Sequence, residues 1–188
     1  MTSSTSRIAI PATIDDAPER SRALLKDVKA AFGVVPNLFR LVATSPAALQ
    51  GLLGLHGALA HGQLGPALSE QIALAIAEIN GCSYCLSAHS YLAKHVAKLG
   101  DADIDASRAG GARDERGNAA VQFAAELARA RGHVGADAIA AVRRAGFSDA
   151  EIIEIIAHVA LNTLTNYVNE ALKTDIDFPI VTSRSAAA

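Results

Sequence analysis

The chain has 188 residues, enough for one compact domain with its own core. Apolar residues make up 51% and charged residues 19%, and the formal net charge is −2, which excludes a disordered polyelectrolyte and argues against nucleic acid as a partner. Aromatic residues total only 4%, Trp is absent, and the apolar fraction rests on Ala, Leu, Ile and Val, a composition that favours closely packed helices over a β-sandwich. No window of about 18 uninterrupted apolar residues occurs, and the N-terminus lacks a basic segment followed by an apolar one. The expectation is a cytoplasmic, all-α protein that makes no membrane contact.

Residues 1–17 read as an extended arm, after which Pro18 opens a helix over ERSRALLKDVKAAF that stops at Gly33. Pro36 precedes a short helix in NLFRLVAT, and Ser45-Pro46 starts another in PAALQGLLGLHGALAHG, with Leu49, Leu52, Leu53 and Leu55 on its buried face. Gly65-Pro66 punctuates the start of ALSEQIALAIAEIN, apolar outside Glu70, Gln71 and Glu78 and therefore a helix enclosed by its neighbours. Asn80-Gly81 breaks that pattern. CSYCLSAHSYLAKHVAKLG then reads as a new helix with Asn80 or Gly81 near its cap and Gly100 past its end, so that 66–100 forms a helical hairpin.

A short helix plus loop is expected in DADIDASRAGGARDERG, followed by amphipathic helices in NAAVQFAAELARARG and ADAIAAVRRAG. Ser148 caps a long helix in DAEIIEIIAHVALNTLTNYVNEALK, with Asp149 and Glu151 in the dipole-favoured first turn. On it His158, Asn162, Asn166 and Asn169 make a polar stripe, read as polar helix contacts at an interface rather than as a substrate site. Residues 175–188 read as a strap and tail. A shift of 80 residues aligns Ser69-Glu70-Gln71-Ile72 with Asp149-Ala150-Glu151-Ile152, which points to an internal duplication in which 147–173 echoes the hairpin. In that register Cys82, Cys85 and His89 fall opposite Asn162, Thr165 and Asn169, so the second copy carries no thiol.

The chemistry is concentrated in Glu70-x11-Cys82-x2-Cys85-x3-His89, which uses both cysteines of the chain. Residues three and four apart share a helical face, so Cys82, Cys85 and His89 form one stripe beginning at a helix N-terminus. A free thiol ionises at about 8.5 and only the thiolate attacks a peroxide or disulfide; a helix N-terminus and a nearby base both raise the thiolate fraction. A bridge across so short a loop adds little stability, so its use is redox chemistry. His89 follows Cys85 by four residues, which makes Cys85 the attacking thiol, Cys82 the resolving thiol that meets the reductant, and Glu70 the group that orients His89 or exchanges a proton with it. Glu78, four residues before Cys82, is the competing carboxylate.

These residues resemble the AhpD-like alkylhydroperoxidase and carboxymuconolactone decarboxylase-like family, in its peroxidase-related branch. The match is close through AEINGCSYCLSAH and extends more loosely from FGVVPNLFRL to TNYVNEAL. The resemblance implies an all-helical AhpD-like domain over 1–188, a proton-relay and dithiol role for Glu70, Cys82, Cys85 and His89, and a homo-oligomer: trimer, dimer or hexamer. Tyr84 departs from the family's best-known pattern, which has a His there; its phenol is a secondary site residue able to donate to a peroxide oxygen.

The combined reading is a cysteine-based peroxidase for organic or hydrogen peroxides, with no metal or organic cofactor and with an external dithiol or protein reductant as partner. Its rivals are a carboxymuconolactone decarboxylase-like lyase, a disulfide reductase or redox sensor for a partner protein, and a structural zinc site. The zinc site would take Cys82, Cys85 and His89 with a fourth ligand from His56, His61 or Glu70.

Overall fold

The computed structural model describes residues 6–184, and among these the regular structure is entirely helical. The helices are α1 (Glu19–Phe32), α2 (Asn37–Val42), α3 (Pro46–Ala60), α4 (Gly65–Ile79), α5 (Ser83–His95), α6 (Asp101–Arg108), α7 (Glu115–Arg129), α8 (Ala136–Arg144) and α9 (Asp149–Leu172). No helix among the described residues is long and apolar enough to cross a membrane.

Most of the boundaries follow from local chemistry. Gly33 ends α1 in the left-handed conformation, with its N–H donating to the Lys29 carbonyl. Ser45 caps α3 through the Ala48 N–H, and Ser148 caps α9 in a reciprocal box: its hydroxyl accepts from the Glu151 N–H while Glu151 accepts from the Ser148 N–H. The expected course of α5 needs two corrections. Its cap is Cys82 rather than Asn80 or Gly81, and it ends at His95 instead of continuing to the approach of Gly100. Lys98 takes the left-handed conformation and the Leu99 N–H folds back onto the Ala93 carbonyl, a closure that sequence signals only weakly when the residue is not glycine.

α4 is the central element and packs against α5, α6, α7 and α9. Every residue from 71 to 78 is buried, so the helix shows no polar face there, as its near-continuous apolar pattern requires. Ile72 and Ile76 anchor a cluster with Val121, Phe123, Ala124, Phe147 and Ile155, while Leu74 and Ala77 belong to a second cluster shared with Leu25, Leu49, Leu86, Cys82 and Cys85. Each such large aliphatic side chain contributes about 1.5–3 kcal/mol on burial. The rigid helix thus holds Glu70 and the α4–α5 turn at fixed separation. On α3, Leu49 and Leu52 are buried, whereas Leu53 and Leu55 are only half-buried.

The first and last described segments clasp this bundle. In the arm, the Arg7 N–H donates to the Leu172 carbonyl and the Arg40 guanidinium to the Ala12 carbonyl; residues 1–5 lie outside the described part. The strap crosses α5, with the Val181 N–H donating to Ser87 Oγ and the Ser183 N–H to Ser83 Oγ; residues 185–188 are likewise outside the described part. In the register of the proposed duplication, α9 runs unbroken where α4 and α5 are separated by a turn.

Candidate functional site

The α4–α5 turn sets up the dithiol. Gly81 has φ of +69°, a conformation open to glycine at no steric cost, and it lets the Cys82 N–H return to the Ala77 carbonyl at 2.9 Å. Cys82 then occupies the cap position of α5, its sulfur accepting from the Cys85 N–H at 3.4 Å. Sulfur is a weak acceptor, so the first-turn amides keep much of their positive potential for the sulfurs themselves. Cys85 is the third residue of α5, inside that field.

Both cysteines are reduced and buried, Cys82 completely and Cys85 to within 2%. Polar side chains pack against Cys85. Asn169 Nδ2 donates to Cys85 Sγ at 3.2 Å, and Asn166, fully buried one helical turn earlier, also biases that sulfur toward its anion. Asn166 is held from behind by Asn80, whose Nδ2 donates to Asn166 Oδ1 at 2.9 Å. Burial alone would push the Cys85 thiol up. A hydrogen bond from Cys82, the charge of His89 and the two carboxamides outweigh it and bring Cys85 down to about 7. Cys82 moves the other way, driven up by donating to Cys85 and by burial, so the pair divides into a thiolate and a thiol that supports it.

Sequence reasoning placed the Asn stripe at an interface, and the structure corrects this. His158, Asn162, Asn166 and Asn169 are all buried inside the chain, and Asn166 and Asn169 face the dithiol. The signal was present as i, i+4 and i+3 spacing, but a polar stripe does not say which neighbour it meets. Two atoms here lack a hydrogen-bond partner among the described residues: Asn166 Nδ2 and Asn169 Oδ1. An orphaned buried polar atom costs about 1–3 kcal/mol, so two beside one cysteine sulfur call for a chemical reason.

His89 and Glu70 form the second half of the site. His89 Nδ1 and Glu70 Oε2 are 2.9 Å apart and each side chain is about one-fifth exposed, so the pair reaches solvent while the charge of His89 acts on Cys85. Burial would lower the imidazole's pKa, but the charge of Glu70, its hydrogen bond and the charge of Cys85 together raise it. Around this pair, His56 lies close enough that His89 and Glu70 act on its charge. His158, 3.4 Å from Ser69 Oγ, is held below the usual imidazole range chiefly by burial. Among the described residues no group of three or more His, Cys, Asp or Glu side chains is arranged to hold a metal ion.

Two other residues singled out from sequence have structural employment. The Tyr84 hydroxyl donates to Asp177 Oδ1 at 2.9 Å and accepts from the Leu38 N–H at 3.1 Å, so its proton is committed to the strap; burial, followed by Asp177, pushes the phenol up. Glu78 accepts from Arg108 Nε at 2.7 Å, from the Ser183 hydroxyl and from the Arg184 N–H, which makes it a clamp for the strap and not a partner of the sulfurs.

A family model for the carboxymuconolactone decarboxylase family matches residues 46–130, the segment that carries α3 to α7 and the whole Glu70–His89 constellation. The fold is also that of an uncharacterized peroxidase-related protein with an alkylhydroperoxidase AhpD core from Ralstonia eutropha JMP134, at 26% identity, a TM-score of 0.81 and 92% coverage of both chains. Residues 46–130 match the carboxymuconolactone decarboxylase family, and the fold is AhpD-like. A peroxidase-related protein from Silicibacter sp. TM1040 is similar at 23% identity over 90% of this chain and 91% of the other, TM-score 0.78. The debrominase Bmp8, solved with 2,3,4-tribromopyrrole, shares the fold at 22% identity over 93% and 94%, TM-score 0.77. No curated protein matches. In AhpD-like terms, this chain combines a family-matched hairpin with an α9 whose carboxamides pack against the Cys85 sulfur.

Proposed function

We propose that this AhpD-like protein is a thiol peroxidase, reducing organic or hydrogen peroxides through a Cys82–Cys85 dithiol/disulfide cycle with His89 and Glu70 as the proton relay. The observation that carries the reading is the arrangement around Cys85: Cys82 Sγ at its N–H, Asn169 Nδ2 at 3.2 Å from its sulfur and His89 held by Glu70 at 2.9 Å, which lowers Cys85 and raises Cys82. A peroxidatic thiol needs to be anionic near neutral pH, and a resolving thiol needs to keep its proton until the second step. The peroxidase-related neighbours support the same class.

In the cycle, Cys85 Sγ attacks one peroxide oxygen, an S–O bond forms as the O–O bond breaks, and the leaving oxygen takes the proton of His89 to depart as alcohol or water. Sulfur is thereby oxidised by two electrons to a sulfenic acid. The Cys82 thiol condenses with it, releasing water and forming the disulfide, and an external dithiol, small or protein-borne, returns two electrons and two protons. Glu70 holds His89 through Nδ1, so the other ring nitrogen is left for the exchange. Because both sulfurs are buried, the reductant reaches the disulfide through local opening of the α5 first turn. A cytoplasmic setting and a homo-oligomer belong to the same proposal, which calls for no bound cofactor.

The test is steady-state peroxide consumption driven by a dithiol, in wild type, Cys85→Ser and Cys82→Ser. Cys85→Ser is expected to lose turnover entirely, and Cys82→Ser to gain one oxygen on Cys85 and then stop. Undiminished consumption by Cys85→Ser overturns the peroxidase reading, and lactone turnover in that variant selects the lyase. A disulfide that forms once without sustained turnover selects a sensor.

A further inference from the structure

Asn166 and Asn169 sit one turn apart on α9 and face the same sulfur, and each leaves one carboxamide atom over. Asn169 spends its Nδ2 on Cys85 Sγ and so keeps Oδ1, an acceptor, within one amide group of that sulfur. Asn166 spends its Oδ1 on Asn80 and turns Nδ2 toward the same sulfur, which takes at most one of its two N–H groups and leaves the other to give. Both side chains are more than nine-tenths buried, so bulk solvent does not reach the leftover atoms. A donor and an acceptor, three residues apart on one helical face beside a nucleophile, match a ligand that has one O–H and one adjacent lone-pair oxygen. A hydroperoxide, R–O–O–H, is such a ligand.

We infer that Asn166 and Asn169 are catalytic residues that cradle the peroxide at Cys85: Asn169 Oδ1 accepts the peroxide O–H and Asn166 Nδ2 donates to the oxygen that leaves. The inference rests on the peroxidase reading above and adds to it where the substrate binds and which groups stabilise its transition state. Asn169 has two tasks, since its Nδ2 also holds the thiolate in line. As Cys85 Sγ bonds to the hydroxyl-bearing oxygen and the O–O bond breaks, negative charge grows on the other oxygen, and Asn166 Nδ2 is already fixed there by Asn80. The proton that completes the alcohol or water comes from His89, and the sulfur ends two electrons more oxidised as sulfenic acid. Asn80 acts through Asn166 and is a positioning residue.

The experiment separates thiolate formation from peroxide activation. Rate constants for Cys85 with hydrogen peroxide and with iodoacetamide are measured across pH in wild type, Asn166→Ala and Asn166→Asp. Alkylation requires only the thiolate, and the high-pH plateau removes differences in ionisation. At that plateau, Asn166→Ala is expected to lose about 100-fold in peroxide rate, as for removal of one preorganised donor, with alkylation within about threefold of wild type. Asn166→Asp keeps the shape and the bond from Asn80, serves if the alanine variant folds poorly, and is expected to show the same split. Equal losses in both reactions, or no loss in the peroxide rate, overturn the cradle while accelerated wild-type sulfenylation leaves the peroxidase reading standing. A wild-type Cys85 no faster with peroxide than a free thiol overturns both.

Discussion

Replacing His89 by Ala tests the electrostatic core of the site. In the native protein the Cys85 thiol is brought to about 7, so about half of it is thiolate at pH 7. An ordinary thiol at about 8.5 is only about 3% ionised at that pH, a difference of about 15-fold in nucleophile and about 2 kcal/mol in free energy. With the imidazolium gone, burial still opposes the anion, while the bonds from Cys82 and Asn169 remain. The midpoint therefore rises toward the ordinary thiol range, and alkylation of Cys85 by iodoacetamide at pH 7 falls several-fold, about 15-fold where the whole depression is lost. The deficit closes at about pH 10, where the thiolate forms regardless. Mass-spectrometric rates on Cys85 across that pH range give the profile directly. His89 is partly exposed, so the truncation leaves no closed cavity. A variant that keeps the wild-type midpoint refutes the claim that His89 sets the thiolate population.

Three further outcomes follow from the same packing. Ile76→Ala, at a fully buried position on α4, is expected to cost about 2–5 kcal/mol, read as a lower urea midpoint with an unchanged slope. Tyr84→Phe removes the hydroxyl shared by Asp177 and the Leu38 N–H and is expected to cost about 1–3 kcal/mol, with faster hydrogen exchange at Leu38 and along the strap. Glu78 is held below its ordinary value: burial opposes the charge, but the bonds from Arg108, Arg184 and Ser183 outweigh it. A carboxyl depressed in the folded state contributes stability that is fully present above its ordinary value near 4.5 and is lost as pH falls through the lower folded one. Urea midpoints against pH should show that acid-side loss in wild type and a weakened one in Glu78→Gln.

By itself the sequence determined the helices and the single face that Cys82, Cys85 and His89 share. Caps such as Ser148 and breakers such as Gly33 and Pro46 act within a few residues, and the 3.6-residue period puts Cys82, Cys85 and His89 on one face whatever surrounds them. The nearness of Glu70 to His89 was also legible, because a hairpin with a short turn brings the start of one helix near the end of the next. Only the tertiary structure decided what the stripe faces. Asn166 and Asn169 are 81 and more residues beyond Cys85, and their helix could have shown its polar side to solvent, to another subunit or to the sulfur; the packing of α9 against α4 and α5 chose the sulfur. The same holds for Tyr84 and Glu78, whose polar groups are committed to a strap about 100 residues away. Local periodicity fixes direction around a helix axis, while the partner in that direction is set by the whole chain's burial of its apolar surface.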